Sequence, residues 1–181
     1  MCFKIFCHVH SSKLYNMIKI KESDLIAASK EGMDEFLQVF TDAYLKTISS
    51  ELNEKTMSLL NGNQHTLLAH RFFSDEIREG GFVQLIQNGY GAYIFDNPFA
   101  KAIRLFGAKE LSKLIYKAKE IYDVNKKELE RETTEEEFMA LYVDFEVFDE
   151  LEEQYFEMEE EQTSIIASYV DNHISDFAVI E

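Results

Sequence analysis

From Ser23 onward the apolar positions fall at helical intervals. Leu25, Ile26, Met33, Phe36, Leu37, Phe40, Tyr44 and Ile48 recur in steps of three and four. That predicts helix to about Thr47, with Ser23 as its N-cap and Gly32 as a break within it. A second helical stretch runs from about Asn53 to Glu79, with Leu67, Leu68, Phe72, Phe73 and Ile77 as its stripe. The turn-like Asn61-Gly62-Asn63 interrupts it. Gly80-Gly81 predicts a helix stop, with Gly80 just past the helix end and at positive φ. Phe82, Leu85 and Ile86 then suggest a short helix ending near Asn88-Gly89. A connection holding Gly91 and Pro98 leads to a helix over 99–106, closed by Gly107. Leu111, Leu114, Ile115, Ala118 and Tyr122 line another, from Lys109 to about Lys127. Thr134, with Glu137 three residues on, is a capping-box signature that starts a helix from Glu135 to about Gln154. A last helix covers about Glu160 to His173. No alternating stretch is long enough for a substantial strand. The pattern predicts one all-α domain of about six to eight helices over residues 17–181.

Residues 1–16 fit no element of this pattern, and Met17 opens a plausible second start. They are expected to be an extension outside the fold. His8 and His10 interrupt their apolar stretch, and no small-residue cleavage site follows, so they do not read as a signal peptide. The chain has 181 residues, of which 46 % are hydrophobic and 13 % aromatic, enough for a sizeable core. With 7 Gly and 1 Pro it lacks the turn chemistry of an all-β sandwich. No apolar run approaches the ~18 residues of a membrane span. The thiols, Cys2 and Cys7, build no disulfide framework, and a cytoplasmic location is the expectation.

Charge changes the picture most. The net charge is −16, and it is not spread evenly. Residues 1–127 carry 15 acids against 17 bases, whereas residues 128–181 carry 19 acids and a single base, Arg131. A solvated tail would explain such an excess, but it would not be threaded with Phe138, Leu141, Tyr142, Phe145, Phe148, Leu151, Tyr155 and Phe156. On a helical wheel Leu141, Phe145, Phe148, Leu151 and Tyr155 share one side. Glu146, Asp149, Glu150, Glu153 and Glu157 take the other, with Asp144 beside them. Like charges three or four residues apart cost a few tenths of a kcal/mol each. No Lys or Arg relieves them between residues 135 and 161. Such a face repels nucleic acid and anionic membranes and suits a basic protein.

Catalytic and metal chemistry finds little support. Cys2, Cys7, His8 and His10 match no zinc-knuckle spacing. His65 and His70, five apart, diverge on a helix. No Glu-x-x-His pair, calcium loop, phosphate loop or nucleophile elbow is present. No catalytic residue, metal site or cofactor is assigned.

Residues 76–91, EIREGGFVQLIQNGYG, resemble the E-x-N-N-G-G-F-x-Q-x-x-x-N-x-x-G signature of a bacterial family of unknown function whose best-known member is a DNA mimic. Glu76, Gly80, Gly81, Phe82, Gln84, Asn88 and Gly91 match it. Arg78 and Glu79 stand where the family usually has an Asn pair. Ala100 to Ala108 looks like its A-x-x-x-x-G-A helix end, and residues 148–156, FDELEEQYF, look like its L-D-x-L-D-x-x-Y/F-Y segment. The resemblance implies an all-helical, non-enzymatic protein that imitates DNA charge to occupy the DNA-binding face of a transcription regulator. Gly80, Gly81, Phe82, Gln84 and Asn88 read as a structural motif, a helix stop followed by an aromatic anchor.

The expected function is therefore a non-catalytic acidic interaction protein. Its expected partner is a basic protein such as a DNA-binding transcription factor, docked on Asp144, Glu146, Asp149, Glu150, Glu153 and Glu157. Direct nucleic-acid and membrane binding are not expected, and a homodimer is left open. The rivals are a small-molecule binder or enzyme with a polar pocket near Glu76, Gln84 and Asn88, and a plain helical assembly module.

Overall fold

The computed structural model describes residues 18–181. Residues 1–16, with Cys2, Cys7, His8 and His10, lie outside the described residues. A two-residue strand, β1 (Lys19–Ile20), leads into α1 (Glu22–Glu31) and α2 (Met33–Thr47). The break between the helices is Gly32, as expected. Ser23 is not the cap, because α1 begins at Glu22 and its N-cap, Lys21, makes no side-chain bond. The Ser23 hydroxyl is spent on the Asp24 carboxylate instead.

The short α3 (Glu54–Met57) precedes α4 (Gly62–Leu85), which Asn61 caps. Asn61 and Gln64 form a capping box, each side chain accepting the other's backbone N–H at 2.9 Å. The expected interruption at residues 61–63 is thus the start of α4. Past Leu85 a π turn (Ile86–Tyr90) breaks at Gly89, at φ 86°, where the short helix was expected to end, and α5 (Gly91–Phe95) follows. Gly91 therefore opens a helical turn, where a connection was expected. Pro98 precedes α6 (Phe99–Leu105), and Gly107, at φ 101°, ends it as expected. Next comes α7 (Lys109–Leu129).

Two expectations are corrected in detail. Gly80 and Gly81 both leave helical φ/ψ, so the expected stop is present, with a second helical stretch kinked off it inside α4; the positive φ lies at Gly81 (73°), not at Gly80 (−165°). Phe73 before the kink and Phe82 after it enter the same core, with ring centroids 5.8 Å apart. The segment from Glu135 to Gln154 is not one helix. It divides into α8 (Glu135–Asp144), a 3₁₀ turn (Glu146–Phe148) and α9 (Asp149–Asn172), which absorbs the expected last helix. The break is Phe145, at φ −118° and ψ 34°. It lets both Phe145 and Phe148 turn inward. A short α10 (Ile174–Phe177) leads to β2 (Val179–Ile180), which pairs in parallel with β1.

The fold is all-α, a single domain. Helix α4 lies at its centre, packed against α2, α6 and α9, while α7 packs on α6 and α9. The core is aromatic. Phe82 stacks on Phe148 at 5.0 Å, Tyr155 meets Phe73 edge-on at 5.3 Å, and Phe95 lies 4.7 Å from Tyr122. Edge-on and offset pairs of this kind add about 0.5–1.5 kcal/mol each beyond their buried area. Among the described residues no helix is long and apolar enough to cross a membrane.

Candidate functional site

The inward positions of α9 are Leu151, Tyr155, Gln162, Thr163, Ile166, Ala167 and Val170. At 100° per residue they fix which of the many acids reach solvent. Glu150, Glu153, Glu157 and Glu161 fall in the arc opposite the core and Asp149 and Glu160 at its edge, and all six are exposed. Glu152 and Glu159, seven residues apart, fall within the buried arc instead and are half-buried. The acids of α9 therefore form two rows with different work.

The inner row belongs to the fold. Glu152 reaches the α4 kink, where the Phe82 N–H donates to its Oε1 at 2.8 Å. A Cβ on Gly81 would lie 2.1 Å from that same oxygen, so only glycine admits the carboxylate. Burial pushes the Glu152 carboxyl above its ordinary range, opposed by the Phe82 N–H. The Tyr142 hydroxyl donates to the Gly80 carbonyl at 3.0 Å and closes the kink from α8. Glu159 accepts from Arg78, whose other arm reaches Asp34 on α2 at 2.8 Å. Arg78, a departure from the family signature, thus ties three helices together.

The outer row is unpaired. The six carboxylates expected to bind a partner, Asp144, Glu146, Asp149, Glu150, Glu153 and Glu157, are all exposed. Phe145, Phe148, Leu151 and Tyr155 are buried behind them. Among the described residues none of the six has a Lys, Arg or His nitrogen within 4.0 Å. Six acids before residue 128, by contrast, are paired: Asp34, Asp42, Asp75, Asp96, Glu110 and Asp123. The α9 row from Asp149 to Glu161 spans about 18 Å of axis at a rise of about 1.5 Å per residue. Its six exposed charges give roughly one per 3 Å, close to the ~3.4 Å per charge along one DNA strand. Glu160 and Glu161 extend the row beyond the expected residues. Their signal was the absence of Lys and Arg up to residue 161.

The motif residues occupy one polar cluster. Glu76 Oε2 accepts from Gln84 Nε2 at 3.1 Å and from Asn88 Nδ2 at 2.8 Å. These groups satisfy one another and hold α4 to the π turn. Gly81 and Phe82 serve the Glu152 contact. Among the described residues no group of three or more His, Cys, Asp or Glu side chains is placed to hold a metal ion.

Residues 58–173 match the family described as DMP19-like protein. The chain belongs to that family. A relative from Neisseria meningitidis serogroup B, the DNA mimic protein DMP19, is 33 % identical over 145 residues. The match covers 80 % of this chain and 87 % of the relative. For this DMP19-like chain, the matched residues include both the Gly80-Gly81 kink and the whole acidic row.

Proposed function

We propose that this protein is a non-catalytic DNA mimic, which presents its outer acidic row to the DNA-binding face of a basic protein, a transcription factor being the leading class. The observation that carries the reading is the row itself. Its carboxylates are exposed, lack counter-charges among the described residues, and repeat at close to the charge spacing of a DNA strand. Stability alone would place Lys among them, since like charges at three and four residues repel. A partner that binds phosphates through Lys and Arg offers the missing counter-charges. The name of the Neisseria relative supports the same reading. Such a partner places the protein with the nucleic acid, in the cytoplasm.

The test uses immobilised wild type and a Glu146→Gln/Glu150→Gln/Glu153→Gln variant, each exposed to lysate of the source cell. Wild type is expected to retain DNA-binding proteins that leave as salt rises and that duplex DNA displaces. The variant is expected to retain few of them. Retention indifferent to salt and duplex DNA, or equal on both baits, would overturn the proposal.

A further inference from the structure

An open groove of about 520 Å³ runs between α7 and the start of α9. One wall is Lys117, Glu120, Ile121, Val124 and Asn125, and the other is Val147, Glu150, Leu151 and Gln154. The α7 wall is one helical face at i, i+3, i+4 and i+7, about two turns or 10 Å long, and the other runs from Val147 in the 3₁₀ turn into the first turns of α9. The groove is apolar at its floor and unusually bare. Val124 is 83 % exposed and Val147 is 54 % exposed, although both are β-branched hydrophobes facing a concavity. Single exposed hydrophobes are ordinary on a surface, but two across one groove are a patch. The rim is acidic. Glu120 stands on one wall and Glu150 on the other, with Glu146 next to Val147. The lining's one cation, Lys117, already donates to Gln154 across the groove at 3.2 Å.

We propose that this groove docks an amphipathic basic helix of the partner protein. The proposal rests on the DNA-mimic reading and deepens it, since Glu146 and Glu150 belong to both surfaces. A helix laid between two helical walls presents its own i, i+3, i+4 and i+7 positions to them. Its apolar stripe covers Val124 and Val147, and its flanking Lys or Arg side chains reach Glu120, Glu146 and Glu150. The charges steer the partner and set the salt dependence. The valines give a component that salt does not screen, and that is what separates this occupant from nucleic-acid-like charge matching alone.

Two synthetic helical peptides of equal charge provide the probe, one built of Leu and Lys and the other of Ala and Lys. Wild type is expected to bind the Leu/Lys peptide about tenfold more tightly, a difference of ~1.4 kcal/mol. Val124→Ser/Val147→Ser is expected to lose that preference while binding the Ala/Lys peptide as wild type does. Both sites are exposed, so thermal melts should match, and Val124→Arg provides a second variant that repels the peptide from the groove. The Glu146→Gln/Glu150→Gln/Glu153→Gln variant is expected to weaken both peptides and leave the preference intact. Equal binding of the two peptides by wild type, or a preference that survives both valine variants, overturns the groove but not the DNA-mimic reading. Peptide binding unaffected by the charge variant counts against that reading itself.

Discussion

The sharpest structural prediction concerns Gly81→Ala. Gly81 sits at φ 73° and ψ −166°, a region essentially reserved for glycine. Holding alanine there costs about 1–3 kcal/mol. The added Cβ would also lie 2.1 Å from Glu152 Oε1 and 2.5 Å from its Cδ. The carboxylate has to withdraw, and the Phe82 N–H loses its charged acceptor at 2.8 Å. A hydrogen bond to a charged group is worth about 1.5–3 kcal/mol. The sum is roughly 3–5 kcal/mol, or a melting temperature lower by on the order of 10 °C for a domain of this size. Gly80→Ala is the control. Its φ is −165°, outside the left-handed region, and its new Cβ would lie 2.2 Å from the movable Gln84 Oε1 and 2.9 Å from the Gln84 Cβ. About 1–2 kcal/mol is expected there, without the loss of the Glu152 bond. Urea denaturation of wild type, Gly81→Ala, Glu152→Ala and the double variant completes the cycle. Because both single changes break the same bond, the double should cost about 1.5–3 kcal/mol less than their sum. A Gly81→Ala protein as stable as wild type, or strictly additive costs, would refute the assignment of Gly81 as the door through which Glu152 enters the kink.

Three further outcomes are expected. The Glu146→Gln/Glu150→Gln/Glu153→Gln protein should melt at or above the wild-type temperature, because repulsion at three- and four-residue spacing is relieved. A lower melt would make these charges stabilising. Mobility-shift assays at ~0.15 M salt should detect no binding of bare duplex or single-stranded DNA, since phosphate contacts supply most such affinity. A clear shift at micromolar protein would contradict the mimic. His70 is 5 % exposed, and burial depresses its imidazole from the ordinary 6.5 to about 4. The folded state therefore prefers neutral His70, and that preference, fully present above pH 6.5, is lost as pH falls toward 4. Its ring-proton NMR signal should titrate near pH 4, and a midpoint near 6.5 would show that the ring is solvated.

Periodicity, caps and charge count were legible from the residues alone. The Thr134–Glu137 capping box forms as its spacing requires, with Glu137 Oε2 accepting the Thr134 N–H at 2.8 Å. The interruptions at Gly32, Asn61 and Gly107, and the inward stripe of α7, are local consequences of residue type and a 3.6-residue period. The concentration of negative charge after residue 127 needs no structure at all. Partition of that charge is another matter. The helical period sets Glu152 and Glu159 on the core side of α9, but it does not say what they meet there. Packing of that side onto α4 brings Glu152 to the Phe82 N–H and Glu159 to Arg78. The same holds for the glycine pair. The pair ends one helical stretch as its residue type predicts, but the direction of the next was set by Phe82, buried against Phe73, Phe95 and Phe148. Phe145 breaks the acidic segment for the same reason, since a continuous helix could not turn both Phe145 and Phe148 into one core. Sequence sets what each segment prefers and how much charge it carries. Packing across segments distant in the chain decides which of those charges the fold consumes and which it leaves facing a partner.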